Sequence, residues 1–293
     1  GTARYSGGGA GTAVPAGLVF GGYTNPPPTK YDATEEYNGT AWSPQNVLGT
    51  ARDSTTGFGT QTAAVCFNGS PLATVIEEYD GTTWTEEGAN NTPRMNAATA
   101  GSLTAGLAIG GQQPTIVANV ESYDGTTWTT VNSINTARSQ QGGAGTQTSA
   151  ITYGGREPAL STKTESYDGT SWSETADLAT AVRDQAFPSQ GPSGNAISAG
   201  GNAPSATTAV EEFNQSATVI TAAAWSSGTN FPTSSSALAG VGPRDAALGI
   251  GGYPEGSSPT GKSFEYNGVA WSAEATLNPS TGTSGVNAAA GTQ

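Results

Sequence analysis

The side chains able to do chemistry are few in this sequence, and their types narrow the options. There is no histidine among 293 residues. That removes Ser-His-Asp and Cys-His hydrolysis, His-ligated zinc or copper, and most general-base designs. The single cysteine, Cys66, sits in an apolar run (Ala63–Phe67), where it reads as a small buried residue rather than a nucleophile. Carboxylates remain. Two Asp/Glu at a set separation suffice for glycoside hydrolysis. The acids outside any repeated pattern, such as Asp32, Asp53, Glu86, Glu87, Asp184 and Asp245, offer no pair that stands out. Asp80, Asp124 and Asp168 each precede a glycine in a tight turn, without the spaced set of oxygen ligands that a calcium loop needs. The residues point to a protein that is not an enzyme and holds no cofactor or metal.

What the sequence does carry is a repeated phrase. Glu-Glu-Tyr-Asn-Gly-Thr-Ala-Trp (35–42) returns at 77–84, 121–128 and 165–172, and more loosely at 211–225 and 264–271. The tryptophans, at 42, 84, 128, 172, 225 and 271, are 42 to 53 residues apart. A period near 45 in a β-rich chain is one propeller blade per repeat. In residues 136–172 four strands can be traced: a Gly/Gln-rich strand to Ala144, an apolar strand Ala150–Tyr153 closed by Gly154-Gly155, then Thr164–Tyr167, and a fourth from Ser171. Asp168-Gly169 marks the hairpin between the last two. A two-residue turn puts Tyr167 and Trp172 on one face as diagonal neighbours, and a four-residue loop pairs them directly. Either register makes the six tryptophans blade-to-blade core.

These features resemble the kelch repeat, whose blade carries a Gly-Gly doublet, a Tyr-Asp, a Trp a few residues on and an Arg opening the next blade. Tyr79-Asp80, Trp84, Arg94 and Gly110-Gly111 reproduce that order over nearly the whole chain. The Tyr-to-Trp interval is short, and the turn is Asn/Asp-Gly rather than Asp-Pro. The Gly-Thr-Gln-Thr and Tyr-Asp-Gly-Thr-Thr-Trp wording is also similar to kelch-like proteins of marine bacteriophage virions and bacterial surface proteins. Galactose oxidase, a kelch-fold enzyme, needs His ligands that this chain lacks. Ser122–Trp128 resembles the sialidase Asp-box but misses it by one residue, since Gly125 follows Asp124 directly.

The expected architecture is therefore all-β: a single six-bladed kelch-like propeller of four-stranded antiparallel blades over 1–293. Its repeats fall at approximately 1–48, 49–90, 91–134, 135–178, 179–231 and 232–278. A seventh copy of the first-strand phrase, 279–293, is available to close the ring or to serve a neighbour. The chain opens at Gly1 inside a repeat, as a processed or partial chain would. One arginine recurs per repeat (Arg4, Arg52, Arg94, Arg138, Arg183), and so does one glutamate (Glu35, Glu77, Glu121, Glu165, Glu211). One of each per blade predicts an internal ion pair or arginine-to-backbone contacts.

With 10 basic against 23 acidic residues the net charge is −13. Nucleic acid and anionic membrane surfaces are poor partners for such a chain, and no run of 18 apolar residues exists to insert into a bilayer. Contacts are expected instead in the loops between second and third strands: 23–33, 70–74, 112–119, 156–163, 202–209 and 253–262. These are rich in proline and differ from repeat to repeat on a constant framework. Within them or at their edges, Tyr23, Lys30, Tyr31, Gln112, Gln113, Arg156, Lys163, Tyr253 and Lys262 are the candidate contacts. The stretched fifth repeat adds an apolar tip, Val219-Ile220. The functional expectation is a structural or attachment protein, part of a larger virion or cell-surface assembly, contacting other structural proteins or a host glycan or receptor. The alternative is a lectin-like or carbohydrate-active propeller.

Overall fold

The computed structural model describes residues 3–13, 16–25, 27–72, 74–215, 224–236, 239–241, 247–250, 253–254 and 262–273. It is an all-β propeller of four-stranded antiparallel blades. The strands of the first blade are Gly8–Ala13, Ala16–Phe20, Thr34–Tyr37 and Trp42–Gln45, paired in chain order from the axis outward. Thr56–Ala89, Ala98–Val131 and Gly142–Glu174 repeat that plan, and so does Ala239–Ala273.

The described residues thus hold five four-stranded blades, not six. The repeat 179–231 departs. It forms a three-stranded sheet of Asn195–Ala199, Val210–Asn214 and Ala224–Ser227, and a single bridge, Ala186↔Ala199, stands where the innermost strand belongs. The cause is legible in its composition. Pro188 and Pro192 have no N–H to give to a ladder. The freed segment turns into the centre instead. Ser189 is buried, and its carbonyl accepts from the N–H of Gly101 on the third blade, past the adjacent fourth blade.

Elsewhere the innermost strands pack side by side around the axis: Gly8–Ala13 on Thr56–Thr60, that strand on Ala98–Ser102, and that one on Gly142–Thr146. Gly8–Ala13 also packs on Ala239–Val241, which brings the last blade to the first. Close convergence explains the small residues on these strands. A Cβ on Gly57 would lie 2.7 Å from the Gly9 carbonyl oxygen, and one on Gly143 would lie 2.8 Å from that of Thr99. Thr99 Oγ1 donates 2.8 Å to the Gly57 carbonyl, so the inner strands are also hydrogen-bonded across the blade boundary.

The repeated phrase does its work between blades. Tyr37 pairs directly with Trp42, Tyr123 with Trp128 and Tyr167 with Trp172, so the connection is the four-residue loop. Each such Tyr and Trp pack ring against ring, stacked for Tyr123–Trp128 and Tyr167–Trp172 and tilted for Tyr37–Trp42, with centroids 4.7 to 5.2 Å apart. The Trp then meets the preceding blade. Trp84 lies edge-on to Phe20 at 4.8 Å and donates its indole N–H to Thr34 Oγ1 at 2.8 Å. Trp128 contacts both Phe58 and Phe67. Aromatic pairs of this geometry add about 0.5–1.5 kcal/mol beyond area burial. The phenol of Tyr79 reaches Glu36 of the preceding blade at 3.0 Å, and Tyr123 and Tyr266 reach Glu78 and Glu212 in the same way.

The predicted Arg–Glu pairs form in four repeats: Arg4–Glu35 (3.3 Å), Arg52–Glu77, Arg94–Glu121 (2.7 Å) and Arg138–Glu165 (2.9 Å), all buried. The fifth does not form. The alignment Thr136-Ala137-Arg138 against Thr180-Ala181-Val182 shows that Val182 holds the arginine position and Arg183 is displaced by one residue. Arg183 contacts Asp184 and Gln140 instead.

Candidate functional site

The candidate surface is the face where chain enters each innermost strand. There the two residues after the repeat-arginine position, which Val182 holds in the fifth repeat, behave alike in five repeats. The first (Tyr5, Asp53, Met95, Ser139 or Arg183) bridges antiparallel to the residue that opens the loop between second and third strands, namely Tyr23, Ser70, Gln112, Arg156 or Asn202. The second is a non-glycine residue in left-handed backbone: Ser6, Ser54, Asn96, Gln140 and Asp184, with φ between 53° and 59°. Such values are uncommon outside glycine, and Asn and Asp tolerate them best. These five residues form a hydrogen-bonded arc. The N–H of Ser54 donates to the Ser6 carbonyl at 2.7 Å, Asn96 to Ser54 at 3.0 Å, Gln140 to Asn96 at 2.9 Å and Asp184 to Gln140 at 3.1 Å.

The Gly-Gly doublets hold this arrangement in place. Gly110 and Gly111 have φ of 58° and 106°, and the Gly111 N–H donates 2.8 Å to the Arg138 carbonyl of the next repeat. A Cβ on Gly110 would come within 2.6 Å of that same carbonyl oxygen. The one variant doublet, Asn68-Gly69, keeps a positive φ of 41° at Asn68. Asn68 Nδ2 donates 2.9 Å to Asn90 Oδ1, and Asn90 occupies the position that Leu48, Ile134 and Leu178 fill in other repeats. Where the glycine is replaced, the apolar partner of the next junction is replaced with it.

The sequence-predicted contacts lie on this face, but spread around its rim rather than in one cleft. Tyr23 is half-buried and meets Tyr5 edge-to-face at 5.3 Å. Lys30 pairs with Tyr23 in a short two-stranded ladder. Its Nζ reaches Asp53 at 2.8 Å and donates to Ser70 Oγ at 2.6 Å, tying the first loop to the second. The Tyr31 N–H donates to the Gly22 carbonyl, and its hydroxyl lies 3.3 Å from Thr24 Oγ1. Gln112 and Gln113 form a ladder with Ile116 and Thr115. Arg156 donates 3.2 Å to Gln112 Oε1, joining the fourth loop to the third. Lys163 turns back to its own repeat, donating 3.0 Å to Thr136 Oγ1 and lying 3.6 Å from Glu157. Lys262 is exposed. The Tyr253 backbone pairs with Ser236. Val219, Ile220 and the seventh first-strand phrase at 279–293 lie outside the described residues.

Sequence reasoning missed the contributions of the arc residues Gln140 and Asp184 and of the bridging residues Tyr5, Asp53 and Arg183 that precede it. The available signal was a polar residue two places after each repeat arginine, immediately before the Gly-rich strand. Around Asp184 the contacts concentrate. Gln140 Nε2 donates 2.7 Å to its Oδ1, and Arg183 donates 3.1 Å to Gln140 Oε1. Burial pushes the Asp184 carboxyl above its usual range, against the opposing pull of Arg183, Gln140 and Arg156. Burial likewise pushes the Cys66 thiol up to about 11, and Cys66 is fully buried beside Thr55. Among the described residues, no group of three or more Asp, Glu, Cys or His gathers where it could hold a metal ion. The rim can present hydrogen-bond donors, acceptors and one aromatic edge from a rigid frame.

No protein-family model matches the chain, and no curated protein matches it significantly by sequence. Among solved structures it is similar to YjhT, with a TM-score of 0.71 at 12% identity over 93% of this chain and 98% of that one, a likeness that shows the propeller fold alone.

Proposed function

We propose that this chain is a kelch-type propeller acting as a non-enzymatic structural or attachment module of a virion or cell surface. It would bind another structural protein or a host glycan through the rim of second-to-third-strand loops. One observation carries the reading. In each of five repeats the loop that varies in sequence is bridged at its first residue to the residue that leads into the constant left-handed arc. Different side chains are thereby displayed on a frame that does not need to reorder on binding, which lowers the entropic cost of association.

The test compares the wild-type chain with rim variants Lys30→Ala and Arg156→Ala and with Thr126→Ala on the opposite face. Co-purification from its native source and surface-binding assays should show contacts weakened by the rim variants and untouched by the opposite-face variant. Isolation as a free monomer with no assembly partner would defeat the proposal. The lectin-like alternative draws support from the Tyr5–Tyr23 pair at the rim. A glycan-array signal lost in Tyr23→Ala would favour it, and an array without hits would reject it.

A further inference from the structure

The dipeptide Asn-Gly occurs at 38–39, 68–69 and 267–268, and the fold puts it in two different settings. With no side chain on the glycine, its backbone nitrogen can reach the asparagine side-chain carbonyl and close a five-membered ring. Asn38 and Asn267 stand exposed in the hairpins between third and fourth strands. Asn38 Oδ1 accepts the N–H groups of Thr40 and Ala41, both at 3.0 Å. Asn267 Oδ1 accepts those of Val269 at 3.0 Å and Ala270 at 2.9 Å. The following glycines, Gly39 and Gly268, have φ of 90° and 86°. Among the described residues no backbone acceptor takes their N–H groups.

Asn68 is the opposite case. It is 2% exposed, its Nδ2 donates 2.9 Å to Asn90 Oδ1, and its Oδ1 accepts the Arg94 N–H at 3.4 Å. A carboxylate there would set two oxygens against each other where a buried hydrogen bond now stands.

We propose that Asn38 and Asn267 are self-modification sites that deamidate in the folded protein, while the fold protects Asn68. The Gly39 nitrogen gives its proton to hydroxide and attacks Asn38 Cγ. The new N–C bond creates a tetrahedral centre, and its negative charge gathers on Oδ1, where the Thr40 and Ala41 N–H groups already point. Collapse breaks the Cγ–Nδ2 bond, and the leaving nitrogen takes a proton from water and departs as ammonia. A second water opens the succinimide. The balance is asparagine plus water to aspartate plus ammonia. The chain already displays the product: Asp80, Asp124 and Asp168 hold the same turn with the same pair of N–H bonds. Opening to aspartate therefore restores the turn with one added negative charge. Opening to isoaspartate lengthens the backbone by one carbon and does not.

The test incubates the full chain, folded and in urea, at neutral and mildly alkaline pH. Peptide mapping by mass spectrometry follows the exchange of NH2 for OH at each of the three sites, and ammonia release is measured in parallel. Asn38 and Asn267 should convert in the folded chain no more slowly than in urea, and faster at the higher pH, because the glycine nitrogen must lose its proton. Asn68 should be slowed by folding about tenfold or more. The double variant Asn38→Asp, Asn267→Asp should keep the wild-type Tm at pH 7 and lose the ammonia released by the folded chain. A rate at Asn38 and Asn267 that falls on folding overturns the proposal, because the turn then blocks the attack. So does equal conversion of all three sites in the folded chain, since the setting of each dipeptide would then decide nothing.

Discussion

At the residue scale, the buried Arg–Glu pairs are costly to disturb. Arg4, Arg94 and Arg138 are fully buried, and burial pulls their guanidinium pKa values below the usual one while the paired glutamates pull them back up. Removing one partner strands a charge. Arg138→Met should destabilise by about 3–5 kcal/mol in denaturant unfolding. Adding Glu165→Gln removes that charge and should recover part of the loss. If the double variant is no better than the single one, the penalty is lost packing rather than stranded charge. Asp184 presents the opposite case. Its folded pKa is raised by burial. Its contribution to stability is therefore present below the unfolded value of about 3.9 and lost as pH rises through the folded value. Asp184→Asn keeps the acceptor for Gln140 and suits a φ of 54°. It should raise Tm at pH 7, with the gain vanishing near pH 4.

At the scale of the element, the hairpin turns show how one geometry is reached by two side chains. Oδ1 of Asp80 accepts the N–H groups of Thr82 and Thr83 at 2.8 and 2.7 Å, and Asp124 and Asp168 do the same one and two repeats later. These N–H bonds hold the three carboxyls below their usual range. In the first and sixth repeats Asn38 and Asn267 make the same two bonds. A depressed carboxyl stabilises above the unfolded pKa, and the benefit is lost as pH falls through the folded one. The triple variant Asp80→Asn, Asp124→Asn, Asp168→Asn should thus match the wild-type Tm at pH 7 and lose less stability below pH 4, followed by circular dichroism. Calcium addition at pH 7 should shift neither protein if the aspartates serve only the turns.

At the scale of the whole molecule, the ring is only as sound as its weakest junction. The fifth repeat gives up its innermost strand to the centre, so its junction with the last blade rests on side chains. Phe231 is buried there, with ring centroids 4.9 Å from Phe264 and 4.8 Å from Trp271, in a cluster with Ile197, Val210 and Tyr266. Phe231→Ala should cost about 3–5 kcal/mol. Because the lesion sits at one junction, hydrogen exchange should rise first in Val210–Asn214 and Ser263–Tyr266. Uniform exchange across all blades would show instead that the ring unfolds as one unit.

Most of the blade could be read from the sequence because its determinants are local. Strand alternation, the Asn/Asp-Gly turn and the Tyr/Trp spacing fix the sheet and its aromatic face whatever surrounds it. So do the register of Arg138 with Glu165 and the fixed place of Gly154-Gly155 after the apolar strand. The features left to the tertiary structure are those that need a neighbouring repeat. Tyr79 finds Glu36 and Lys30 finds Asp53 only across a blade boundary. The left-handed arc from Ser6 to Asp184 exists because five successive entries meet around one axis. Pro188 and Pro192 were visible in the sequence, but not where the freed strand would go, since Ser189 docks on a blade two repeats distant. Nor does repeat counting detect a displacement of one residue. Arg183 reads as the fifth copy of the ion-pair arginine until packing shows Val182 in that place, with Glu211 lining a small cavity beside it.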